Sequence, residues 1–185
     1  MYPVSRHSSR LALRELTVDD VAAVLAIYGS REATEHLSFE PRTREETAAI
    51  VARSIASATA TPRSEFALAV VERDGSELVG FARLALDPHQ QRAATMGFAL
   101  RPDSWGVGYG VEAVQLVLGL AFEEIGLHRV WGARSPLNEA SAKTMIAAGM
   151  QEEGIIREHI QKAGRWRDSV VHAVLEHEWA AAPTR

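Results

Sequence analysis

The sequence predicts a single α/β domain built around a mixed β-sheet, and three observations lead to this fold class. Apolar strand patterns and amphipathic helix patterns follow one another along the whole chain. Some strands are joined by short turns and others are separated by whole helices, which implies both antiparallel and parallel pairs. The 185 residues suit one hydrophobic core and contain no repeat, low-complexity tract or linker. We therefore expect one domain over 1–185, with flexible ends at 1–9 and 180–185.

The first half of the chain has the pattern of one strand, two helices and a hairpin. Residues 10–14 alternate apolar and polar side chains, as a half-buried strand does, and a helix signal at 17–20 opens an apolar helix over 20–28. A short helical or looped piece follows at 31–39. Thr43 and Glu46 have the spacing of a capping box and predict a helix that runs to about 57. Strands over 65–72 and 78–86 flank an Asp-Gly turn signal.

The second half of the chain predicts a strand, a long helix, a strand, a second helix and a hairpin. The strand over 95–101 runs into a glycine-rich turn, and the helix after it continues to about 124, where Gly126 stops it. A short strand over 128–133 and a helix over 138–148 come next. The remainder is predicted to form a hairpin of 153–161 and 168–179, turned at 162–165. In total we expect about six to seven strands and about four helices.

Composition excludes several classes of function. The net charge of −4 gives no electrostatic reason to expect nucleic acid or an anionic membrane as a partner. The absence of cysteine excludes disulfides, thiolate metal sites and cysteine nucleophiles. Seven histidines show no metal-ligand spacing, so no metal is expected. No apolar run approaches the roughly 20 residues of a membrane span, and the first ten residues do not resemble a signal peptide, so a cytoplasmic protein is expected.

The most informative stretch is RPDSWGVGYGVEA at 101–113. A strand, three alternating glycines (Gly106, Gly108 and Gly110) and a helix start turn backbone N–H groups and the positive end of a helix dipole toward an anion. The turn contains no lysine, so a phosphate would be held mainly by the backbone. In the alternative interpretation the glycines only relieve steric strain in a tight turn. The spacing G-x-G-x-G fits neither the dinucleotide-binding G-x-G-x-x-G motif nor a Walker loop.

Four segments, in order and over 10–179, resemble the GNAT superfamily of N-acetyltransferases, and specifically its RimJ/RimL-like (ribosomal-protein N-terminal acetylase) subgroup. The segments are RLALR at 10–14 followed by Asp20; WGVGYG at 105–110 with Glu112 and Ala113; NEAS at 138–141 leading to AGM at 148–150; and EG at 153–154 with Arg157, Gly164, Asp168 and the closing EW at 178–179. The family usually has Gln or Arg where Trp105 stands, but Trp is familiar in this subgroup. The resemblance implies a strongly bent sheet whose fourth and fifth strands splay apart around acetyl-CoA.

The resemblance also implies which residues bind the donor. The backbone of the glycine turn would hold the CoA pyrophosphate: Trp105, Gly106, Val107, Gly108, Tyr109 and Gly110. A side chain at Gly108 or Gly110 would occupy the space of the phosphate oxygens. Phe98 and Leu100 would pair with the pantetheine arm like an added strand. Asn138 would lie near the pantetheine and the Ser141 hydroxyl near the sulfur; the alternatives are a plain helix N-cap and a small residue on a packed helix surface.

The acceptor side is less clearly marked. His36 and Phe39 stand where relatives build the acceptor pocket, although an ordinary helix end would have the same pattern. For Asp168 we favour pairing within the hairpin, and contact with the substrate is the second interpretation. Many relatives carry a glutamate where Thr95 stands here, so Glu158 and His159 are the titrating groups available on the strand that some relatives use. Glu158 is our candidate catalytic base, and a solvated strand edge is the alternative for both residues.

The absence of a glutamate at the position of Thr95 affects which amine we expect as the acceptor. Making a lysine amine neutral at pH 7 costs roughly 4.6 kcal/mol, whereas an α-amino group costs only about 1 kcal/mol. We therefore predict an acetyl-CoA-dependent N-acetyltransferase that favours the α-amino group of a protein or peptide N-terminus. The reaction would be direct attack in a ternary complex, because no cysteine is present to carry an acyl group.

Two other functions stay open at this point. The acceptor could instead be a small-molecule amine, such as an amino acid, a polyamine or an antibiotic. The chain could also be a non-catalytic acyl-CoA-binding or sensing module, to which the missing acid would point. A homodimer through an exposed last-strand edge is a further expectation.

Overall fold

A mixed sheet of eight strands forms the centre of the computed structural model, which describes residues 2–74 and 77–181. The strands are β1 (Ser5–His7), β2 (Leu11–Glu15), β3 (Glu65–Glu72), β4 (Leu78–Leu86), β5 (Ala93–Leu100), β6 (Arg129–Arg134), β7 (Gln151–Lys162) and β8 (Arg165–Leu175). Their order across the sheet is β1-β2-β3-β4-β5-β6-β8-β7. β5 and β6 are parallel and all other neighbours are antiparallel, which confirms the predicted mixed sheet.

Six α-helices cover the two faces of this sheet within the described residues. They are α1 (Val21–Tyr28), α2 (Arg31–Thr34), α3 (Arg44–Ala58), α4 (Tyr109–Gly119), α5 (Glu139–Ala147) and α6 (Glu176–Ala181). α1 and α3 pack on one face against Ala67, Ala69 and Phe81. α4 and α5 pack on the other face, where Val114 and Met145 join the larger core around Leu68. Burial of these apolar side chains on both faces stabilises the layered arrangement.

Local signals set the helix starts as predicted. The backbone N–H of Glu46 donates to the hydroxyl of Thr43 at 3.2 Å, and the N–H of Thr43 donates to the carboxylate of Glu46 at 2.9 Å. This reciprocal pair is the predicted capping box of α3. Before α1, the carboxylate of Asp20 accepts from the N–H of Thr17 at 2.7 Å and from both Nη atoms of Arg14. The bidentate contact joins the end of β2 to the start of α1.

The predicted numbers of strands and helices were wrong. Residues 5–7, expected in a flexible end, form β1 and pair with β2, and the N–H of Val4 donates to the Glu15 carboxylate at 2.9 Å. Residues 176–179, expected to continue a strand, begin α6, because Glu178 accepts the N–H of Leu175 at 2.8 Å as a helix cap does. The four-residue α2 is the third addition. The predicted turn residues 75–76 and the tail 182–185 lie outside the described residues.

The C-terminal hairpin is confirmed, but its exposed edge is not the strand that we expected. Ala163 and Gly164 form its two-residue turn with φ of +49° and +75°, the left-handed pattern of a tight hairpin. The last strand, β8, lies between β6 and β7, so the edge of the sheet is β7. Antiparallel pairing of β8 with β6 inserts it there, and Ile155 on β7 remains 63% exposed.

Candidate active site

The centre of the site is a gap that opens between β5 and β6. These two parallel strands pair only from Ala93 with Arg129 to Thr95 with Trp131. Beyond Thr95, β5 continues to Leu100 beside β4, whereas β6 continues beside β8. One side of the carboxyl half of β5 therefore has no neighbouring strand, which leaves room for an extended ligand to pair with it.

Hydrogen-bond alternation shows which backbone groups of β5 face this gap. Asp87 donates to the carbonyl of Ala93 at 2.8 Å, and Arg101 donates to that of Val79 at 2.9 Å. Because antiparallel partners alternate between bonded and non-bonded pairs, the odd-numbered residues of β5 bond to β4 and the even-numbered ones point away from it. The backbone N–H and C=O of Phe98 therefore face the gap.

The glycine-rich turn lies at the end of β5, beside the opening of the gap. Gly106 and Gly108 have φ of +78° and +88°, and Gly108 is the N-cap of α4. An L side chain adopts these angles only with strain, so the turn needs glycine at both positions. The first N–H groups of α4 and the positive end of its dipole lie at this turn, which is the predicted geometry for an anion.

Trp105 ties the glycine turn to β5. Its indole Nε1 donates to the carbonyl of Leu100 at 3.0 Å, although its side chain is partly exposed. This bond engages the carbonyl of Leu100. The backbone N–H of Leu100 is therefore the group that still faces the gap. Val107, at the tip of the turn, is also exposed.

In the structure, other groups of the protein lie beside Gly108 and Gly110, whereas the resemblance implied phosphate oxygens there. A Cβ on Gly108 would lie 3.3 Å from Nη2 of Arg10, and one on Gly110 would lie 3.2 Å from Cγ2 of Thr144. The space next to these glycines is thus filled by the protein itself. Gly110 allows α4 and α5 to approach closely, and Gly108 allows the guanidinium to lie against the turn.

Arg10 is a residue at this site that sequence reasoning missed. Its Nη1 donates to the carbonyl of Val107 at 2.9 Å, and its Nε and Nη2 contact the carboxylate of Glu112 at 2.8 and 2.7 Å. Its guanidinium also lies 4.9 Å from the ring centroid of Tyr109. Arg10 and Val107 are 97 positions apart, so no local pattern could have joined them.

α5 presents one side to the gap. The Asn138 Oδ1 accepts the N–H of Ser141 at 2.9 Å, which confirms the N-cap interpretation. Met145 lies farther along the same helix face, with its sulfur 3.6 Å from where a Cβ of Gly132 would be. Gly132 also lies beside the carbonyl of Met96, where the gap begins. Ser141 is therefore one turn nearer the opening than Met145, on the same face.

Arg134 fixes the chain just before α5. Its Nη1 donates to the carbonyls of Ser135 at 3.1 Å and Pro136 at 3.2 Å, and its Nε donates to Nε2 of His172 at 3.0 Å. His172 is fully buried on β8. Burial, followed by the nearby charge of Arg134, lowers the pKa of His172, whereas Glu152 acts to raise it. The neutral imidazole accepts from Arg134, so Nδ1 carries the proton.

One position on the opposite face of β5 is not filled by protein atoms. Space is free where a Cβ of Gly97 would point. Thr95 pairs with Ala85 and Ala85 with Glu65, so Thr95 and Glu65 share a face and a register row with a small residue between them. Glu65 accepts from Nε of Arg83 at 2.6 Å. The carboxylate of Glu65 was not a sequence candidate, because only the register brings it into line with Thr95.

The predicted acceptor residues His36 and Phe39 lie in the loop after α2. The Phe39 ring packs on Tyr28 with centroids 4.9 Å apart. The carbonyl of His36 accepts from Nη1 of Arg167 at 3.0 Å, which connects the loop to the C-terminal hairpin. Burial lowers the pKa of Arg167.

Lys162, at the tip of β7, provides a second connection between this loop and the hairpin. Its Nζ donates to the carbonyls of Thr34 at 2.7 Å and Glu35 at 2.8 Å, at the end of α2. Burial lowers the pKa of Lys162, and nearby Glu40 acts to raise it. A groove of about 510 Å³ lies along these residues. The hairpin and the loop thus meet beside this groove.

Glu158 and Asp168 meet at a bulge in the hairpin. The β7–β8 register shifts between Ile156 and Ile160, and Glu158 there has a left-handed φ of +48°. Its N–H donates to Oδ1 of Asp168 at 2.8 Å, which is the hairpin pairing that we favoured for Asp168. The Glu158 side chain is exposed on the edge strand, and β8 separates it from β6.

Over 2–74 and 77–181, no three His, Asp or Glu side chains are grouped in a way that could hold a metal ion. No helix in the same ranges is long and apolar enough to cross a membrane.

Comparison with known proteins identifies the family. Residues 10–151 match the acetyltransferase (GNAT) domain. The uncharacterized N-acetyltransferase YoaA of Bacillus subtilis (strain 168) is 26% identical over 176 residues, which covers 95% of this chain and 98% of YoaA. Two solved structures share the fold. Mycobacterium smegmatis RimJ in complex with CoA-disulfide has a TM-score of 0.79 at 24% identity, covering 96% of this chain and 90% of RimJ. The spermidine N-acetyltransferase of Vibrio cholerae with CoA and spermine has a TM-score of 0.80 at 20% identity, covering 94% and 99%. The chain therefore belongs to the GNAT family of acetyltransferases.

Proposed function

We propose that this acetyl-CoA-dependent N-acetyltransferase acts on the α-amino group of a protein or peptide N-terminus, by direct attack in a ternary complex. The observation that carries the mechanism is the orientation of the Phe98 backbone into the gap, next to the glycine turn. This geometry supplies a hydrogen-bond donor for a thioester carbonyl beside an anion site for the donor's phosphates.

The donor is proposed to lie along this groove. The N–H groups of the turn hold the pyrophosphate, and the N–H of Leu100 and the C=O of Phe98 pair with the pantetheine arm. Asn138 uses its oxygen for the helix cap, which leaves its amide NH₂ to donate to the pantetheine. The proposed donor-binding residues are Phe98, Leu100, Trp105, Gly106, Val107, Gly108, Tyr109, Gly110, Asn138 and Ser141.

The proposed transfer forms one C–N bond and breaks one C–S bond. The neutral amine attacks the thioester carbon, and the N–H of Phe98 stabilises the negative charge that develops on the carbonyl oxygen. The hydroxyl of Ser141 donates a proton to the departing sulfur and regains one from solvent, and the amine gives up its own proton, directly or through water, to a carboxylate that then releases it to solvent. We assign this proton to Glu158; Glu65, aligned with Thr95, is the second carboxylate available.

The acceptor class follows from how weak this base is. Neither carboxylate stands on β5 itself, where Thr95 replaces the expected acid. An α-amino group is already partly neutral near pH 7, so a distant or water-mediated base suffices for it. His36, Phe39 and Asp168 are the proposed acceptor contacts. The fold shared with RimJ supports assignment to the RimJ/RimL-like subgroup.

A second candidate acceptor is a small-molecule amine. The spermidine N-acetyltransferase of Vibrio cholerae shares the fold over nearly all of both chains, so a polyamine also suits this architecture. A polyamine amine has a pKa near that of lysine and needs a stronger base than an α-amino group does. The two acceptor classes therefore differ in how their rates depend on pH.

A thiol-release assay with acetyl-CoA tests the proposal. The acceptors are a panel of unblocked peptides, the same peptides with a blocked N-terminus, spermidine and free amino acids. We expect release with the unblocked peptides and none with the blocked ones. Faster release with spermidine would move the assignment to small amines. Efficient acetylation of lysine side chains with a flat rate from pH 6 to 9 would count against the preference for amines of low pKa. CoA binding without any acceptor-dependent release would indicate a non-catalytic acyl-CoA-binding module.

We also propose that two copies associate through the exposed edge of β7. This strand has 12 residues and pairs on one side with β8, so its other side presents unpaired backbone groups. Light scattering at increasing concentration tests it, with Ile155→Lys as the variant expected to shift the mass toward a monomer. An unchanged monomer mass at every concentration would contradict it.

A further inference from the structure

The glycine turn is held from behind by a residue that lies far away in the sequence. Arg10, just before β2, donates to the carbonyl of Val107 at 2.9 Å and binds Glu112 through Nε and Nη2. The backbone N–H of Arg10 donates to the same carboxylate at 2.9 Å. We propose that Arg10 is a positioning residue for the phosphates of the donor, and that it makes the enzyme depend on the nucleotide part of acetyl-CoA. This inference rests on the proposed donor site.

The bond from Arg10 fixes the orientation of one peptide plane in the turn. The C=O and N–H of a trans peptide point in opposite directions. Because Arg10 engages the Val107 carbonyl, the N–H of Gly108 in the same peptide points away from Arg10 and out of the opposite side of the turn. Gly108 has φ +88° and could adopt other conformations, so the bond from Arg10 selects one of them.

Arg10 also neutralises a negative charge next to the turn. Glu112 lies in the first turn of α4, where its carboxylate would oppose a bound phosphate. Although burial acts to raise the pKa of Glu112, hydrogen bonds from Ser8, from the Arg10 backbone and from the Arg10 side chain lower it. The carboxylate is therefore ionised, and Arg10 neutralises it. Without Arg10, an uncompensated negative charge would stand beside the anion site.

The experiment compares two donors on Arg10→Ala. Acetyl-CoA carries the phosphates, whereas S-acetylpantetheine has the same thioester and no phosphate. We expect the KM for acetyl-CoA to rise at least tenfold with kcat within about twofold, since a hydrogen bond to a charged group is worth a factor of that order. The kcat/KM for S-acetylpantetheine should be unchanged. An equal loss with both donors, or no loss with either, would overturn the proposal.

Matched variants separate positioning from folding. Arg73→Ala removes an exposed guanidinium that donates to the carbonyl of Ser8 at 3.0 Å, in the same segment but away from the turn. It changes the net charge equally and should leave the KM for acetyl-CoA within twofold. Arg10→Lys can contact Val107 or Glu112 but not both, so an intermediate KM is expected. If Arg10→Ala does not fold, this lysine variant decides, and a wild-type KM in it contradicts the proposal.

Binding keeps this test independent of the acetyl transfer. Calorimetric titration of the wild type and of Arg10→Ala with CoA and with pantetheine needs no turnover. Failure of the wild type to acetylate any amine would sink the proposed function. A tenfold loss of CoA affinity in Arg10→Ala, with pantetheine binding unchanged, would still support the role of Arg10. An equal CoA affinity in both proteins would refute that role even in an active enzyme.

Discussion

The donor side and the acceptor side of the gap are built in different ways. On the proposed donor side, Arg10, Trp105 and Asn138 make hydrogen bonds of 2.9 to 3.0 Å to backbone atoms of the glycine turn, β5 and α5. On the acceptor side, the contacts come from a loop and a hairpin, and the exposed Glu158 stands at a register shift with a left-handed φ. The proposed donor site thus lies on β5, α4 and α5, whereas the proposed acceptor site lies between two surface segments that are joined by hydrogen bonds of 2.7 to 3.0 Å.

This difference matches the chemistry that each side performs. The donor presents the same diphosphate and thioester in every turnover, so a rigid site lowers the entropy lost on binding it. Binding residues for variable ligands tend to lie on loops positioned by a rigid scaffold. Here β5 and β6 are the scaffold, and the loop after α2 and the β7–β8 hairpin are the variable part.

The largest expected effect tests whether the donor side acts through the backbone. Phe98→Pro removes the N–H that faces the gap but leaves the bonds between β5 and β4, which the odd-numbered residues make. We expect kcat to fall by about 100-fold or more, as for loss of an oxyanion-stabilising donor. Phe98→Ala, which keeps the N–H, is the control for the lost ring. Equal activity of the two variants would show that this N–H has no part in the reaction.

A smaller effect is expected from the proton acceptor on the other side of the gap. Glu158→Gln should lower kcat/KM for an unblocked peptide by about tenfold or more, within the range of general base catalysis. Glu65→Gln is the comparison, because Glu65 shares a register row with Thr95. Steady-state rates from pH 6 to 9 measure both. A larger loss in Glu65→Gln would transfer the role to that residue and move the base off the hairpin.

Ser141→Ala tests the leaving group alone. We expect kcat to fall by about tenfold, at the weaker end of proton-transfer catalysis, because the departing thiolate can also take its proton from water. The KM for acetyl-CoA should stay within twofold, since the Asn138 cap accepts from the backbone N–H of residue 141 and not from its hydroxyl. A rise in KM with unchanged kcat would instead limit Ser141 to donor binding and remove it from the proton transfer.

The smallest expected effect is on stability. It concerns His172, which accepts a hydrogen bond from Arg134, the residue that anchors the chain just before α5. The folded pKa of buried His172 is lowered, so below about pH 6.5 the unfolded chain binds a proton that the folded state does not. The free energy of unfolding should therefore fall with pH from about 6.5 down to the folded pKa, by up to about 1.4 kcal/mol per pH unit. Urea unfolding of His172→Gln should lack this part of the slope.

The same substitution at an exposed histidine is the control for that measurement. His177 lies on the exposed side of α6, and His177→Gln should leave the slope as in the wild type. Indistinguishable slopes in the wild type and in His172→Gln would show that protonation of His172 does not weaken the anchor.

Much of this molecule could be predicted where adjacent residues determine the outcome. The capping box at Thr43, the Asn138 cap and the two-residue hairpin turn all formed as predicted, because their partners lie within three or four positions. Prediction was wrong for β1 and α6. In β1, pairing with β2 ordered residues that show no strand pattern of their own, and in α6 a single Glu178 cap ended a strand.

What the sequence by itself determined is therefore most of the elements, without β1 and α6, and the strand–glycine turn–helix unit, since propensity, caps and left-handed turns act over a few residues. What only the tertiary structure decided is which residues meet. The end of pairing at Thr95, the insertion of β8 between β6 and β7, and the contact of Arg10 with Val107 all depend on how strands far apart in sequence are placed. Such pairings bring together groups that no local pattern connects, because their energy is gained only when the whole sheet has formed.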